Sequence, residues 1–272
     1  MTHAVPVLMY HHVCPHPGLV TVSPETFEEH MAYLARKKYR ALAADEFLEF
    51  LQGKRALDGR SVLITFDDGY LDNYVYAYPL LKRYGLKATI FTITSLMGEG
   101  AARTYLGAAK VLPPTPDHRA CKAAVTEGRA DEVMLRWSEI EAMETSGAVE
   151  VHSHTHTHVR WDQLHPDESQ RLAAVAADLA ASHAALKSRL GKESRHLCWP
   201  WGHVEPGYPE AAAKAGFVAQ YATIKGINIA GGDPRQIARV VVKEKPAGWL
   251  GSRLAIYRRP WLARLYLGLR RA

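Results

Sequence analysis

Short apolar runs alternate with amphipathic stretches along most of this chain. "AVPVLMYHHV" (4–13), "SVLITF" (61–66), "KATIFTIT" (87–94), "VEVHSHT" (149–155), "HLCWPW" (196–201), "FVAQYATI" (217–224) and "ARVVV" (238–242) read as strands. Between them, "SPETFEEHMAYLARKKY" (23–39) reads as a helix, with Ser23 as N-cap and Pro24 at its first position. "ADEFLEFLQG" (44–53), "DNYVYAYPLLKRYG" (72–85, with Pro79 able to bend it), "SEIEAMETSG" (138–147), a long stretch near 167–190 and "PEAAAKAG" (209–216) read as further helices. Strands alternating with helices predict an α/β fold with a mainly parallel sheet, open or closed into a barrel. The segment 97–134 breaks the rhythm with Gly98, Gly100, Gly107, Pro113, Pro114 and Pro116, and reads as an insertion or lid beside a site.

Composition changes this picture little. The 272 residues are 47% hydrophobic and 23% charged, which suits a globular α/β chain, and no run is long enough to span a bilayer. The first residues lack a basic region and a small-residue cleavage site, so no signal peptide is read. Cys14, Cys121 and Cys198 are far apart and odd in number, which fits a reducing compartment better than a disulfide framework. Charge is more informative. The net +6 equals the contribution of Arg253, Arg258, Arg259, Arg264, Arg270 and Arg271 in a stretch, 248–272, that holds no acid. An anionic surface such as phospholipid is the partner that stretch predicts. The rest shows no basic stripe, so nucleic acid is not expected.

Four constellations carry candidate chemistry. Asp67 and Asp68 end an apolar strand before Gly69, and a parallel strand delivers such residues to the carboxyl edge of its sheet, where α/β ligands bind. Successive residues diverge, so the two acids can take different roles, although an acidic helix cap is the simpler alternative. His152, His154, His156 and His158 alternate, which along a strand would place them on one face as potential metal ligands. "CWPWG" brings Trp199, Pro200 and Trp201 to a loop after a strand, where flat rings suit a sugar as well as a core. Tyr10 and His11 end the first strand.

Together these residues resemble the NodB-homology polysaccharide deacetylases, carbohydrate esterase family four. "TFDDG" (65–69) matches that family's first motif, "SHTHTH" (153–158) its second, with His154, Thr155 and His158 in register, and "WPWG" (199–202) resembles its third. The resemblance implies a distorted (β/α) barrel of about seven strands over residues 1–247, followed by the basic, aromatic tail at 248–272. It also implies Asp68, His154 and His158 as ligands of a divalent cation, zinc first with iron, cobalt or nickel as alternatives, and Asp67 as the base. Trp199, Pro200, Trp201 and Tyr10 would meet substrate, Thr155 would support the loop, and His152 and His156 would be extra. Two departures stand out. Cys198 occupies the usual arginine position of the third motif, which leaves Arg239 as the candidate to orient Asp67. The late Leu-x-x-His motif is missing. Both departures resemble the poly-β-1,6-N-acetylglucosamine deacetylase branch, where an early "YH" supplies the acid, here His11, with His203 as the fallback.

The activity so implied is metal-dependent N-deacetylation of an amino-sugar glycan or of a lipid- or nucleotide-linked N-acetyl sugar. A non-catalytic carbohydrate-binding barrel and a hydrolase of a non-sugar amide or ester are the alternatives. A cytoplasmic location, peripheral at the inner face of the membrane, is the expectation from the missing export signal and the basic tail.

Overall fold

Ten strands organise the computed structural model, which describes residues 3–57 and 60–269. They are β1 (Val7–Tyr10), β2 (His12–Val13), β3 (Thr21–Val22), β4 (Arg40–Ala41), β5 (Ser61–Phe66), β6 (Ala88–Thr92), β7 (Val149–Ser153), β8 (His196–Cys198), β9 (Ala219–Tyr221) and β10 (Val240–Val241). Seven of them form the main path β10-β1-β5-β6-β7-β8-β9, with β4 paired to β5 outside it and β2 paired to β3 as a separate ribbon. Every one of these ladders is parallel. The sheet curls so far that its edges nearly meet. Tyr221 of β9 forms a parallel bridge with Ile237, and three residues later Val240 pairs with Leu8 of β1. The expected barrel-like α/β architecture is therefore present as a curled sheet of seven parallel strands.

Among the described residues ten α-helices complete the fold: α1 (Pro24–Arg36), α2 (Ala44–Leu51), α3 (Tyr78–Arg83), α4 (His118–Thr126), α5 (Trp137–Thr145), α6 (Trp161–Leu164), α7 (Glu168–Leu190), α8 (Tyr208–Lys214), α9 (Ala247–Tyr257) and α10 (Pro260–Gly268). As the sequence predicts, the Ser23 hydroxyl accepts the Thr26 N–H at the start of α1. The Asp167 carboxylate does the same for Gln170 at the start of α7. The strand side chains divide by parity. Leu8, Ile64, Phe66, Ile90 and Val151 pack outward with Phe27, Met31 and Leu34 of α1 and Ile140 and Met143 of α5. Val7, Leu63, Phe91, Cys198 and Tyr221 face inward and are plugged by Phe47, Leu48 and Leu51 of α2.

Two sequence readings change locally. The first strand stops at Tyr10, so His11 sits in a break before β2. The stretch before Pro79 is a π-helical turn, Asn73–Ala77, leading into α3 with Pro79 in its first turn. Proline lacks the N–H and crowds the preceding turn, and a wider turn relieves both problems.

The tail is less separate than its composition predicts. Leu250 and Leu254 of α9 are fully buried in the main core. Gly251 lies so close to Tyr33 of α1 that any Cβ there would collide with its ring and hydroxyl. Pro260 interrupts the helix and opens α10, of which Ala263 is buried while Trp261, Leu265 and the C-cap Leu269 are exposed. Arg270 and Arg271 lie outside the described residues. No described helix is long and apolar enough to cross a membrane.

Candidate active site

The parallel register aligns Tyr10 with Phe66, Thr92 with Ser153, and Cys198 with Tyr221. The residues that follow these strand ends therefore emerge together at the carboxyl edge. His11, Asp67, Asp68, His154 and His158 all line one cavity of about 370 Å³ there. Turning the chain so sharply requires unusual backbone. Asp68, Thr155, His158 and Trp201 all have positive φ, at 74°, 67°, 58° and 54°. Val20, on the cavity wall, is a fifth, and only one further non-glycine residue among those described shares the conformation. Each such residue costs on the order of 1 kcal/mol or more, so strain is concentrated at this site. Gly69, at φ 80°, completes the Asp67–Asp68 turn, where a Cβ would come within 2.9 Å of Thr92 Cγ2.

Asp68, His154 and His158 bring three ligand atoms within 4.8 Å of one another. His154 Nε2 lies 3.3 Å and His158 Nε2 3.5 Å from Asp68 Oδ1. The His154 Nδ1–H donates to the Cys198 carbonyl at 2.8 Å, which turns Nε2 towards Asp68. One carboxylate and two imidazoles, one of them oriented by the hydrogen bond of its far nitrogen, fit a divalent cation with room for further ligands. Asp67, His154 and Cys198 form an overlapping group of three. That group is the poorer site, because both Asp67 oxygens are engaged by Arg239 and burial raises the Cys198 pKa against thiolate formation.

Asp67 is held by two parallel hydrogen bonds, Arg239 Nη1 to Oδ1 at 2.6 Å and Nη2 to Oδ2 at 2.8 Å. Arg239 reaches it because residues 237–241 span the two sheet edges. Burial pushes the Asp67 carboxyl up, but the Arg239 charge and then His11 and His154 outweigh it, and the net direction is down. The neighbouring Asp68 is also held ionised: burial again opposes charge, while the hydrogen bond to His154 and the nearby imidazoles prevail. His11 Nε2 lies 3.7 Å from Asp67 Oδ2. Burial lowers the His11 pKa, and Asp67 and Asp68 counter it. In His158, burial and then His154 lower the pKa to about 4, leaving a neutral ring.

The four alternating histidines do not share a face, because the strand ends at Ser153. The Thr155 N–H bonds Ser153 Oγ, and Thr155 Oγ1 accepts the His158 N–H, which folds His158 back beside His154. Asp178 of α7 accepts the His156 and Thr157 N–H groups, and the His156 ring turns away to Thr94 Oγ1. His152 lies deeper on the inner face, with Nδ1 on Ser194 Oγ.

Not every residue expected at the substrate reaches it. Tyr10 is buried, packs between Phe27 and Phe66, and bonds His30 Nδ1 through its hydroxyl. Trp199 is buried against Tyr208 and donates to Gln220 Oε1, since a strand-end indole at this parity faces α7 and α8. With Pro200 it lines a separate hollow of about 20 Å³. Trp201 alone of the trio lines the main cavity, 53% exposed, its ring 4.2 Å from that of His158. His203, the fallback acid, is off the cavity, paired with Glu205 at 2.9 Å. Among the cavity residues that sequence reasoning missed, one group comes from the 97–134 segment. His118, Lys122, Val125 and Thr126 of α4 form a cavity wall with Leu96 and Met134.

Comparison with known proteins agrees with this geometry. The family model described as polysaccharide deacetylase matches residues 54–220. YxkH of Bacillus subtilis strain 168 is 30% identical over 213 residues, 78% of this chain and 62% of its own length. A Staphylococcus aureus poly-β-1,6-N-acetyl-D-glucosamine N-deacetylase is 26% identical over 205 residues, 72% of this chain and 60% of its own. The chain thus spans about three fifths of the length of these relatives. Among solved structures, IcaB from Ammonifex degensii superposes with a TM-score of 0.71 at 26% identity, covering 93% of this chain and 97% of that one. The Streptococcus pyogenes deacetylase PplD shares the fold, with a TM-score of 0.72 at 20% identity over 96% and 100% of the two chains. Matched over more than half its length, and with the acids and histidines of two family motifs gathered at one cavity, the chain belongs to the polysaccharide deacetylase family.

Proposed function

We propose that the chain removes N-acetyl groups from an amino-sugar glycan, or from a lipid- or nucleotide-linked N-acetyl sugar, with a divalent cation, zinc first, held by Asp68, His154 and His158. The observation that carries this reading is that the three potential ligands stand directly beside the Asp67–His11 pair, within one cavity. The cation supplies Lewis acidity towards water and the acetamide carbonyl. Asp67 Oδ2, kept ionised by Arg239, takes the proton of the attacking water. The water oxygen bonds to the carbonyl carbon, and the C–N bond breaks. His11 Nε2 delivers a proton to the departing nitrogen, so that acetate and a free amine leave. Trp201 offers an apolar ring to the sugar at the cavity mouth.

Replacing Asp67 with Asn tests the division of labour. The variant is expected to retain stoichiometric zinc by elemental analysis and to lose acetate release from N-acetylglucosamine oligomers at least a thousandfold. Undiminished release would remove Asp67 from the reaction, and wild-type protein that releases no acetate from any N-acetylated sugar would end the deacetylase reading.

A second reading concerns location. Trp261, Leu265 and Leu269 recur every four residues along α10 and its C-cap and are 66%, 56% and 72% exposed, with Arg259 and Arg264 exposed beside them. An apolar stripe flanked by arginines supports peripheral contact with an anionic bilayer, which vesicle sedimentation tests.

A further inference from the structure

His12 plays no part in the chemistry above, yet it is fully buried and has both ring nitrogens engaged. Its Nδ1 lies 2.6 Å from Asp72 Oδ2, and its Nε2 lies 3.1 Å from His118 Nδ1. Asp72 is buried as well, and its other oxygen accepts the Val13 N–H and the Asn73 side-chain amide. The His12 ring stacks on Tyr70 at 3.8 Å, and His118 meets the edge of the same Tyr70. Asp72, β2 and the first residue of α4 are thus joined by a chain of hydrogen bonds behind the cavity wall.

That chain fixes a tautomer. A carboxylate accepts, so His12 Nδ1 carries the proton that bonds Asp72. With a single proton on the ring, and that one at Nδ1, His12 Nε2 accepts, so His118 Nδ1 carries the proton between the two rings. Burial lowers the His118 pKa, which favours a neutral ring. With Nδ1 committed to His12, Nε2 is left as an acceptor on a ring that lines the active-site cavity. An acceptor held this way suits a hydroxyl or amide N–H donor. Sugars carry the first in abundance and acetamido sugars the second. The arrangement resembles the support of catalytic histidines, where the far nitrogen is pinned so that the near one is presented correctly.

We infer that His118 is a substrate-binding residue whose Nε2 accepts a hydrogen bond from the sugar, and that His12 and Asp72 are the positioning residues that present it. The 97–134 segment then shapes specificity: His118 begins the face of α4 that continues through Lys122 and Thr126 along the cavity. The inference rests on the deacetylase reading for the class of ligand.

Its test is binding and turnover of a short N-acetylglucosamine oligomer by the zinc-loaded full chain carrying His118→Phe or His118→Gln. Phenylalanine keeps a flat ring with no acceptor, and glutamine restores an acceptor oxygen. For His118→Phe, KM is expected to rise at least tenfold, with kcat falling less than threefold; tenfold corresponds to about 1.4 kcal/mol. His118→Gln should recover part of the loss. In the Asp67→Asn background, where substrate binds without turnover, calorimetry should show the same tenfold weakening for His118→Phe. Nitrogen-15 spectra of the zinc-loaded protein should show His118 protonated at Nδ1. Unaltered oligomer affinity in His118→Phe, no oligomer binding in either background, or a His118 protonated at Nε2 would each overturn the inference. The two readings fail separately. Absent acetate release from a protein whose oligomer affinity still depends on His118 would remove the deacetylase reading and leave the binding residue standing.

Discussion

Arg239 and Asp67 show how much depends on single side chains that are distant in sequence. Both are buried, and the two-bonded pair between them is the local compensation for a carboxylate that has left water. Removing one partner of such a pair typically costs about 3–5 kcal/mol, because the remaining charge is stranded. Arg239→Met is therefore expected to lower the urea unfolding free energy by roughly that amount. Adding Asp67→Asn should return much of it, since the stranded charge is then gone. A loss below about 1 kcal/mol in Arg239→Met would show that the pair is not what holds Asp67. At this scale the sequence was readable where chemistry is rare: two adjacent acids after a strand and a histidine cluster identify themselves. Arg239 was reachable because Cys198 left a vacancy that some cation had to fill. Tyr10 and Trp199 misled, since a strand-end aromatic serves core and site equally well and only parity with the neighbouring strands decides. His118 carried no local signal, for its partner His12 lies 106 positions away.

The elements follow their periodicity wherever burial is one-sided. Helix α1 begins at the cap its sequence announces, α7 falls on the long stretch read as helical, and β5 and β6 match their apolar runs. Alternation failed in the histidine run, because the strand ended first and Thr155 and Asp178 then set the path of the loop. The 97–134 segment was legible as an insertion or lid beside a site, but which of its residues face the cavity was not, since its glycines and prolines specify turns and not destinations. Composition merged α9 and α10 into one tail, whereas packing separates them: Leu250 and Leu254 dock on the core, while Trp261 and Leu265 of α10 do not. The membrane reading belongs to α10 alone. Wild-type protein should sediment with phosphatidylglycerol vesicles and not with phosphatidylcholine vesicles. Trp261→Ser combined with Leu265→Ser should reduce the bound fraction severalfold. Equal sedimentation of wild type and variant would remove the α10 contact.

Across the whole molecule, the inner face of the sheet carries a polar column beneath the site, and this column couples folding to pH. His196 is fully buried, with Nε2 on Asp45 Oδ1 at 3.0 Å and Nδ1 on the Tyr221 hydroxyl at 3.2 Å. Burial lowers its pKa to about 4, although Asp45 opposes the change. An unfolded chain takes up this proton near 6.5, so between the two values the unfolded state holds more protons. The stability this group contributes is complete above about pH 6.5 and is lost as pH falls towards 4, by at most roughly 3 kcal/mol. Unfolding midpoints measured from pH 7.5 to 4.5 should follow that slope, and His196→Gln, which does not titrate, should flatten it; an equally steep profile in the variant would assign the slope to other groups. The central claim, that three side chains hold the cation on which deacetylation depends, is tested most directly by zinc titration of chelator-stripped protein with acetate release from an N-acetylglucosamine oligomer as the readout. Activity should be absent at first, saturate near one zinc per chain, and stay absent in His154→Ala throughout the same titration. Full acetate release by the stripped protein, before any zinc is added, would contradict the account.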